Sequence, residues 1–387
     1  LLDKIWRIGA ETFRSCSEDA LVDNPTRERG EWTGDVIGAG IEICNAAFGD
    51  MRMIRRGLVQ AAQCAAEDGC VAGLCPGGVG YLSTYALQWV RASLKFFRMT
   101  GDREYFTWAF DAAKRNMRYF AENFTNAGCS RDVHWAFVDW GYVTNEGESD
   151  MGVNLHLHNA LRAYVDWCEW MGDTKEKAFA EEFLGRVRAV IAAYLVKNAG
   201  EWEKIGMHRA VLALGEGFFE GQEAKDCVAY VKRHYLSCFP NDMSAPRLGA
   251  PDKNNPRLIT PYFSHFAFPI LWQAGEGDFV ISQYKTCWGW LAAQDNTWLE
   301  VFDGRWSHCH QWSGCPTWQL SRYCLGLMPR EDLAPRAFEY CKLPVAGGGT
   351  VEVRFGEDFA EYTPDVDITV YKNGVPCTVK AGESKMF

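Results

Sequence analysis

Two acid-rich segments that also carry tryptophan lie near opposite ends of the chain, and both hold residue types suited to acid–base chemistry. The first is Asp23-Asn24-Pro25-Thr26-Arg27-Glu28-Arg29-Gly30-Glu31-Trp32-Thr33-Gly34-Asp35. Pro25 and the two glycines mark it as a loop. Its mixture of acids and arginines alone would suit a solvated, self-neutralising surface. Trp32 argues for something else, because a large indole has little place on an exposed loop unless the loop folds over a pocket. The second segment is Trp298-Leu299-Glu300-Val301-Phe302-Asp303-Gly304-Arg305-Trp306-Ser307-His308-Cys309-His310-Gln311-Trp312. Glu300 has apolar neighbours, so burial would favour its neutral form unless an Arg or His compensates. A packed aromatic loop with a capped Glu is the plainer alternative. A third segment, His134-Trp135-Ala136-Phe137-Val138-Asp139-Trp140-Gly141, is followed by Glu146, Glu148 and Asp150. Asp139 there reads either as a site acid or as a buried carboxylate satisfied by backbone N–H groups.

Acids and aromatics spread over loops suit glycosidic bond cleavage. That reaction needs one protonated carboxyl for the leaving oxygen and one carboxylate for water or for the anomeric carbon. The chain also has 16 Trp, and indole faces are natural platforms for the flat C–H faces of sugars. Other chemistries lack their signatures. There is no HExxH, no phosphate-binding glycine loop and no GxSxG elbow. His156 and His158 point to different helix faces at i, i+2 and read as core or surface histidines, not as metal ligands. A polysaccharide lyase would place a Tyr/His or Arg pair against a uronate, whereas both key positions here are acids. No metal and no cofactor is expected.

These loops must be held by helices. Helical periodicity dominates up to about Leu327, with few alternating β-branched runs. Gly-Asp pairs at 49–50, 101–102, 172–173 and 277–278 separate amphipathic stretches. Gly suits a left-handed helix end and Asp the cap of the next helix, so each pair reads as the corner of a helical hairpin. The pattern predicts helices at about 1–16, 34–48, 51–68, 83–100, 103–123, 151–171, 174–198, 207–219, 223–236, 262–274, 278–293 and 314–327. Twelve helices in hairpins give an all-α fold, an (α/α)6 toroid, or an open superhelix. Closure is favoured because it would gather the polar-aromatic loops at one end. From about Pro344 the composition changes: Val351–Phe355 and Asp367–Tyr371 alternate, and Asn373-Gly374 is a hairpin turn signal. The expected division is a toroid over 1–343 and a small or truncated β-module over 344–387.

Composition limits the partners. The net charge of −10 argues against a nucleic-acid or anionic-membrane partner, since both need a basic face. No apolar run approaches the roughly 20 residues of a membrane span. The 15 Cys form no Cys-x-x-Cys pair and read as free thiols in a reducing, cytoplasmic setting. The start at Leu1-Leu2 reads as a trimmed N-terminus, so the lack of a leader says little.

The run Asp-x-Pro-x-Arg-Glu-Arg-x-x-Trp-Thr-Gly-Asp at 23–35 resembles the signature loop of bacterial and fungal α-L-rhamnosidases. Trp-Leu-Glu-Val-Phe-Asp-Gly at 298–304, with Ser307-His308 beyond it, resembles their second catalytic loop, and Asp139-Trp140 a third motif. The resemblance spans about residues 1–343. It implies an (α/α)6 barrel and hydrolysis with inversion. It makes Glu28 the general acid and Glu300 the general base. It puts Asp23, Arg27, Trp32, Asp35, Trp140 and His308 around the sugar, and Asp139 is expected to bind hydroxyls beside them. Asn24 stands where the family usually has Cys. The loop is one residue shorter than in many members, with Glu31 a further acid three positions on. The implied partner is a carbohydrate carrying a terminal α-L-rhamnosyl residue. Rivals are a related toroidal enzyme acting on another sugar and a toroid that binds sugar without turning it over.

Overall fold

The computed structural model describes residues 1–129, 134–144, 147–248, 257–326, 328–329, 338–345, 348–356, 358–372 and 375–387. Helices form where the apolar spacing put them. They are α1 (Leu2–Ser15), α2 (Gly40–Ala47), α3 (Arg52–Gln63), α4 (Ser83–Thr100), α5 (Arg103–Glu122), α6 (Met151–Met171) and α7 (Thr174–Lys197). A short α8 (Trp202–Ile205) precedes α9 (Met207–Gly215), α10 (Gly221–Leu236) and α11 (Ser264–Gln273). Then come α12 (Gly277–Gln283), α13 (Gly289–Gln294) and α14 (Cys315–Gln319). Three π-helical stretches are interleaved: Thr33–Ala39 leads into α2, Tyr284–Trp288 joins α12 to α13, and Leu320–Cys324 continues α14.

The helices sort into two layers by how much of their circumference is apolar. Outer α1 buries one stripe, Ile5, Ile8, Thr12 and Phe13. Inner α4 buries residues on nearly every face, among them Tyr85, Trp89, Val90 and Phe97. Between them the rings interlock: Phe97 stacks on Phe106 of α5 at 4.0 Å, and Phe106 on Trp167 of α6 at 4.7 Å. Each such pair adds about 0.5–1.5 kcal/mol beyond its burial.

Inner helices α2, α4, α6, α9, α11 and α14 touch in that order, and α14 returns to α2. The chain start seals the ring. Trp6 Nε1 donates to Ser321 Oγ at 3.0 Å, Thr317 Oγ1 to the Trp6 carbonyl at 3.1 Å and Lys4 Nζ to the Ala292 carbonyl at 3.0 Å. The molecule is therefore a closed toroid and not an open superhelix. The described residues of the long connections 16–32, 64–82, 123–150, 237–263 and 295–314 lead into inner helices at their N-terminal ends, which places them at one mouth.

The Gly-Asp corners behave as caps at two sites. Gly101 and Gly172 take left-handed φ of 69° and 68°, while Asp102 and Asp173 accept the backbone N–H of Tyr105 and Glu176. At 277–278 the expectation is corrected: Gly275 supplies the positive φ of 83°, and α12 already begins at Gly277. Sequence spacing alone does not separate a left-handed glycine from a helical one two residues later.

Beyond α14 the chain builds strands: β3 (Met328–Pro329), β4 (Phe338–Pro344), β5 (Thr350–Phe355), β6 (Ala360–Pro364), β7 (Ile368–Lys372), β8 (Val375–Val379) and β9 (Lys385–Met386). A two-residue pair, β1 (Phe124–Thr125) with β2 (Gly128–Cys129), lies within the long connection after α5. The order β3-β4-β5-β6-β9 is antiparallel throughout, and β7 pairs with β8 so that Val370 faces Cys377. The expected turn at Asn373-Gly374 lies outside the described residues. The expected division between 343 and 344 falls at the last residue pair of β4, a strand already paired on both sides.

Candidate active site

The signature loop is folded by its own side chains. Asn24 Oδ1 accepts the N–H of Thr26 at 3.2 Å and of Arg27 at 2.6 Å, turning the chain. Asp23 Oδ1 accepts the N–H of Gly30 at 2.8 Å, and the Asp23 N–H donates to the Gly30 carbonyl at 2.9 Å, closing the loop at its base. Arg29 takes a positive φ of 53° within it. The closed loop projects Arg27 and Glu28 into the mouth of the toroid.

The second loop meets it there. The Glu300 N–H donates to the Ser307 carbonyl at 2.9 Å, and the His310 N–H to the Trp298 carbonyl at 2.8 Å. Trp312 Nε1 fixes the Glu300 carbonyl at 2.8 Å. The Gln311 N–H donates to the Asp23 carbonyl at 3.3 Å, which ties the two loops together.

One guanidinium joins the two glutamates. Arg27 Nη1 lies 2.7 Å from Glu28 Oε1 and Arg27 Nη2 lies 2.6 Å from Glu300 Oε2, while Nε donates to Ser307 Oγ at 2.9 Å. Because the guanidinium is small and planar, the facing carboxylate oxygens are within roughly 8 Å of each other. Glu300 is 2% exposed and Glu28 lies at the rim, where Trp32 Nε1 donates to its Oε2 at 2.9 Å. Burial pushes Glu300 above the usual carboxylate range, and Arg27 and Ser307 oppose that shift.

Asp23, Arg27, Glu28, Trp32, Asp35, Trp140 and Glu300 line one pocket. Leu82, Trp135, Phe137 and Trp312 give it an apolar wall, and Tyr85 and His310 complete it. Trp32 and Trp140 are both half-buried. Asp35 Oδ2 accepts Tyr85 Oη at 2.6 Å at the floor. Burial, reinforced by Asp23 and Glu300 nearby, raises the Asp35 carboxyl well above its ordinary value despite that bond. Burial also raises Asp23 to about 6, against the N–H groups of Asn24 and Gly30. His310 lies between them, its Nε2 3.8 Å from Asp23 and 3.7 Å from Asp35. Burial and then Arg27 hold it well below the usual imidazole value, so the ring is neutral.

Two expected site residues lie elsewhere. Asp139 is buried beneath Trp140, accepting Thr260 Oγ1 at 2.7 Å and facing His208 Nε2 at 2.7 Å. These partners, from the connection before α11 and from α9, engage both of its oxygens, and it is not among the residues lining the pocket. His308 is exposed and turned outward, its Nδ1 3.0 Å from Asp295 and its Nε2 donating to the Gly304 carbonyl at 2.9 Å. That carbonyl, and then Asp295, raise its pKa. Of the Arg or His expected to compensate the buried Glu300, the structure supplies Arg27. Glu146 lies outside the described residues. Among the described residues, no cluster of three or more His, Cys, Asp or Glu is arranged to hold a metal, and no helix is long and apolar enough to cross a membrane.

Residues 1–251 match the family model of the bacterial α-L-rhamnosidase six-hairpin glycosidase domain. The chain belongs to this family. No curated protein matches it by sequence. Among solved structures it is similar to a GH78 family rhamnosidase of Bacillus sp. GL1, with a TM-score of 0.69 and 21% identity over 94% of this chain and 39% of that one. It is similar to a rhamnosidase from Klebsiella oxytoca with rhamnose bound, with a TM-score of 0.67 and 19% identity over 84% and 64%. A Streptomyces avermitilis α-L-rhamnosidase complexed with L-rhamnose gives a TM-score of 0.68 and 16% identity over 96% and 38%. The chain thus spans less than two thirds of each of these proteins. At these identities the likeness speaks for the fold.

Within the family toroid, Tyr85, Leu82 and His310 are pocket residues that sequence reasoning missed. His310 stands two residues after the expected His308, and only loop geometry tells the two apart. Tyr85 and Leu82 lie at the start of a buried helix, where nothing in the local pattern distinguishes lining residues from core.

Proposed function

We propose that the chain is the catalytic toroid of an inverting glycoside hydrolase that removes a terminal 6-deoxyhexose, with α-L-rhamnose the best-suited sugar. The observation that carries this reading is the Arg27 fork, which ties Glu28 and Glu300 together in one pocket walled by Trp32 and Trp140. Glu28, at the rim, would protonate the departing glycosidic oxygen. Glu300, deeper and ion-paired, would take the proton from an attacking water. Carboxyls about 6.5–9.5 Å apart leave room for that water, and a shift of the Arg27 fork on substrate entry would open the space. Asp23, Asp35 and His310 would meet ring hydroxyls on one side of the pocket. The apolar wall of Leu82, Phe137 and Trp312 would receive the methyl group that distinguishes a deoxyhexose.

The family's six-hairpin glycosidase domain and the rhamnose-bound neighbours support the same sugar. We also propose that the toroid and the β-module divide ahead of β3, where helix gives way to strand. The test is a panel of p-nitrophenyl glycosides followed by proton NMR of the first-formed sugar. Release from the α-L-rhamnoside with β-L-rhamnose appearing first is the expected result. A first-formed α anomer would reject inversion, and no release from any member of the panel would reject catalysis by this chain.

A further inference from the structure

The toroid has a second end. On its axis, at the C-terminal side of the inner helices, lies a cavity of about 260 Å³ to which all six inner helices or their π-helical extensions contribute. It is separated from the mouth by a layer in which Gln88 Nε2 donates to Tyr262 Oη at 2.9 Å. The proposed chemistry uses none of its lining residues.

Charge in this cavity is unevenly matched. Arg91, Lys95 and Arg322 line it, against the carboxylates of Glu42 and Glu216. Glu216 is already occupied: His158 Nδ1 lies at 2.7 Å, Asn159 Nδ2 donates at 2.5 Å and Arg162 Nη1 lies at 3.3 Å. Glu42 takes Lys95 at 2.6 Å and faces Arg322 at 3.8 Å. Arg91 is left with a long 3.5 Å bond to Asn159 Oδ1 and the face of Phe266 at 5.3 Å. The same ring lies nearly perpendicular to His156, with centroids 5.4 Å apart. His156 is 5% exposed, and its Nε2 has no partner. Burial, aided by Arg91, lowers His156 to about 3 and keeps it neutral, so the ring can offer an N–H. Burial lowers Lys95 to about 8, opposed by Glu42 and reinforced by Arg91. An under-paired guanidinium flanked by Lys95 and Arg322 in this cavity is suited to charge-assisted bonds to oxygen.

We propose that this axial cavity binds a small oxyanion, of the size of phosphate or a short carboxylate, held by Arg91 with Lys95 and Arg322 as the flanking charges and the neutral His156 in the wall. Arg91 and Lys95 stand on α4 and Arg322 follows α14, so the bound anion ties these two parts of the ring together at the end opposite the mouth. Anything that binds only the folded state raises its stability.

The test uses the whole chain with inorganic phosphate as probe, at an ionic strength held constant with chloride. Phosphate should raise Tm and give a saturable calorimetric isotherm. Arg91→Gln should weaken that binding about tenfold or more, as expected for loss of one charge-assisted contact. The exposed cluster Arg52, Arg55 and Arg56 is the competing cationic surface, so Arg52→Gln serves as control and should leave the isotherm unchanged. If Arg91→Gln does not fold, a crystal of the unaltered chain soaked in tungstate gives the same answer, with anomalous signal expected beside Arg91 and His156. No phosphate effect beyond that of chloride, an isotherm abolished by Arg52→Gln but kept by Arg91→Gln, or tungstate bound only outside the cavity would each overturn the proposal.

Discussion

Glu31 belongs to the signature loop but not to the pocket. Its side chain turns back against Ile37 and Gly57, so closely that a Cβ on Gly57 would lie 2.4 Å from its Oε1. It is 4% exposed, and neither carboxyl oxygen has a hydrogen-bond partner. Burial pushes this carboxyl from 4.5 up to about 8, with Arg56 opposing only in part. The unfolded chain releases the Glu31 proton near the ordinary value, while the folded chain keeps it until about pH 8. The unfolded state is therefore favoured progressively as pH rises through that interval, and the penalty is absent below it. Each pKa unit is worth about 1.4 kcal/mol, so at pH 7 the penalty is on the order of 3 kcal/mol. Glu31→Gln keeps the shape and abolishes the titration. Urea unfolding of both proteins from pH 4 to 8 should give curves offset by a constant near pH 4. With rising pH they should diverge, until the variant has gained roughly 2–3 kcal/mol on the parent by pH 7. Rhamnoside hydrolysis should survive the change, because Glu31 does not line the pocket. Parallel pH–stability curves would refute the burial argument, and loss of activity in a folded Glu31→Gln would move the general-acid role to it.

Three further expectations rest on the same geometry. Glu28→Gln should cost about 10²–10⁴-fold on alkyl or disaccharide rhamnosides and far less on aryl ones, whereas Glu300→Gln should slow both alike; equal losses for Glu28→Gln on the two substrates would remove it as the acid. A Cβ on Gly34 would lie 2.2 Å from the Tyr85 ring, so Gly34→Ala should destabilise by about 1–3 kcal/mol and lower activity by displacing Tyr85 from Asp35; chemical denaturation and rhamnoside kinetics measure both. Rhamnose binding should strengthen as pH rises through about 6, where Asp23 ionises and becomes the better acceptor, and titration calorimetry of Asp23→Asn should show that limb missing.

How much was legible beforehand varies by element. Helix positions were, because a buried stripe must recur with the helical period wherever the helix lies in the fold. Asp23, Arg27, Glu28, Trp32 and Asp35 were legible as a group, since one short loop carries them all and its spacing fixes their order. Glu300 was legible only as an acid among apolar residues. That it is ion-paired, and by Arg27 and not by His308, follows from the ring closing α1 against α14 and bringing the two loops together. Asp139 and His308 lie outside the pocket for one reason. Residue type and neighbours state what a side chain can bond to, but not which partner stands nearest: Thr260 and His208 claimed one, Asp295 and the Gly304 carbonyl the other. The same limit hid the axial cavity, whose lining is one or two turns from each of six helices with no shared local motif. The sequence by itself determined the helices, the acid loop and the kind of chemistry, because these depend on local periodicity and residue type. The tertiary structure decided which acids meet, which are buried and which are paired, because those depend on contacts between segments hundreds of residues apart.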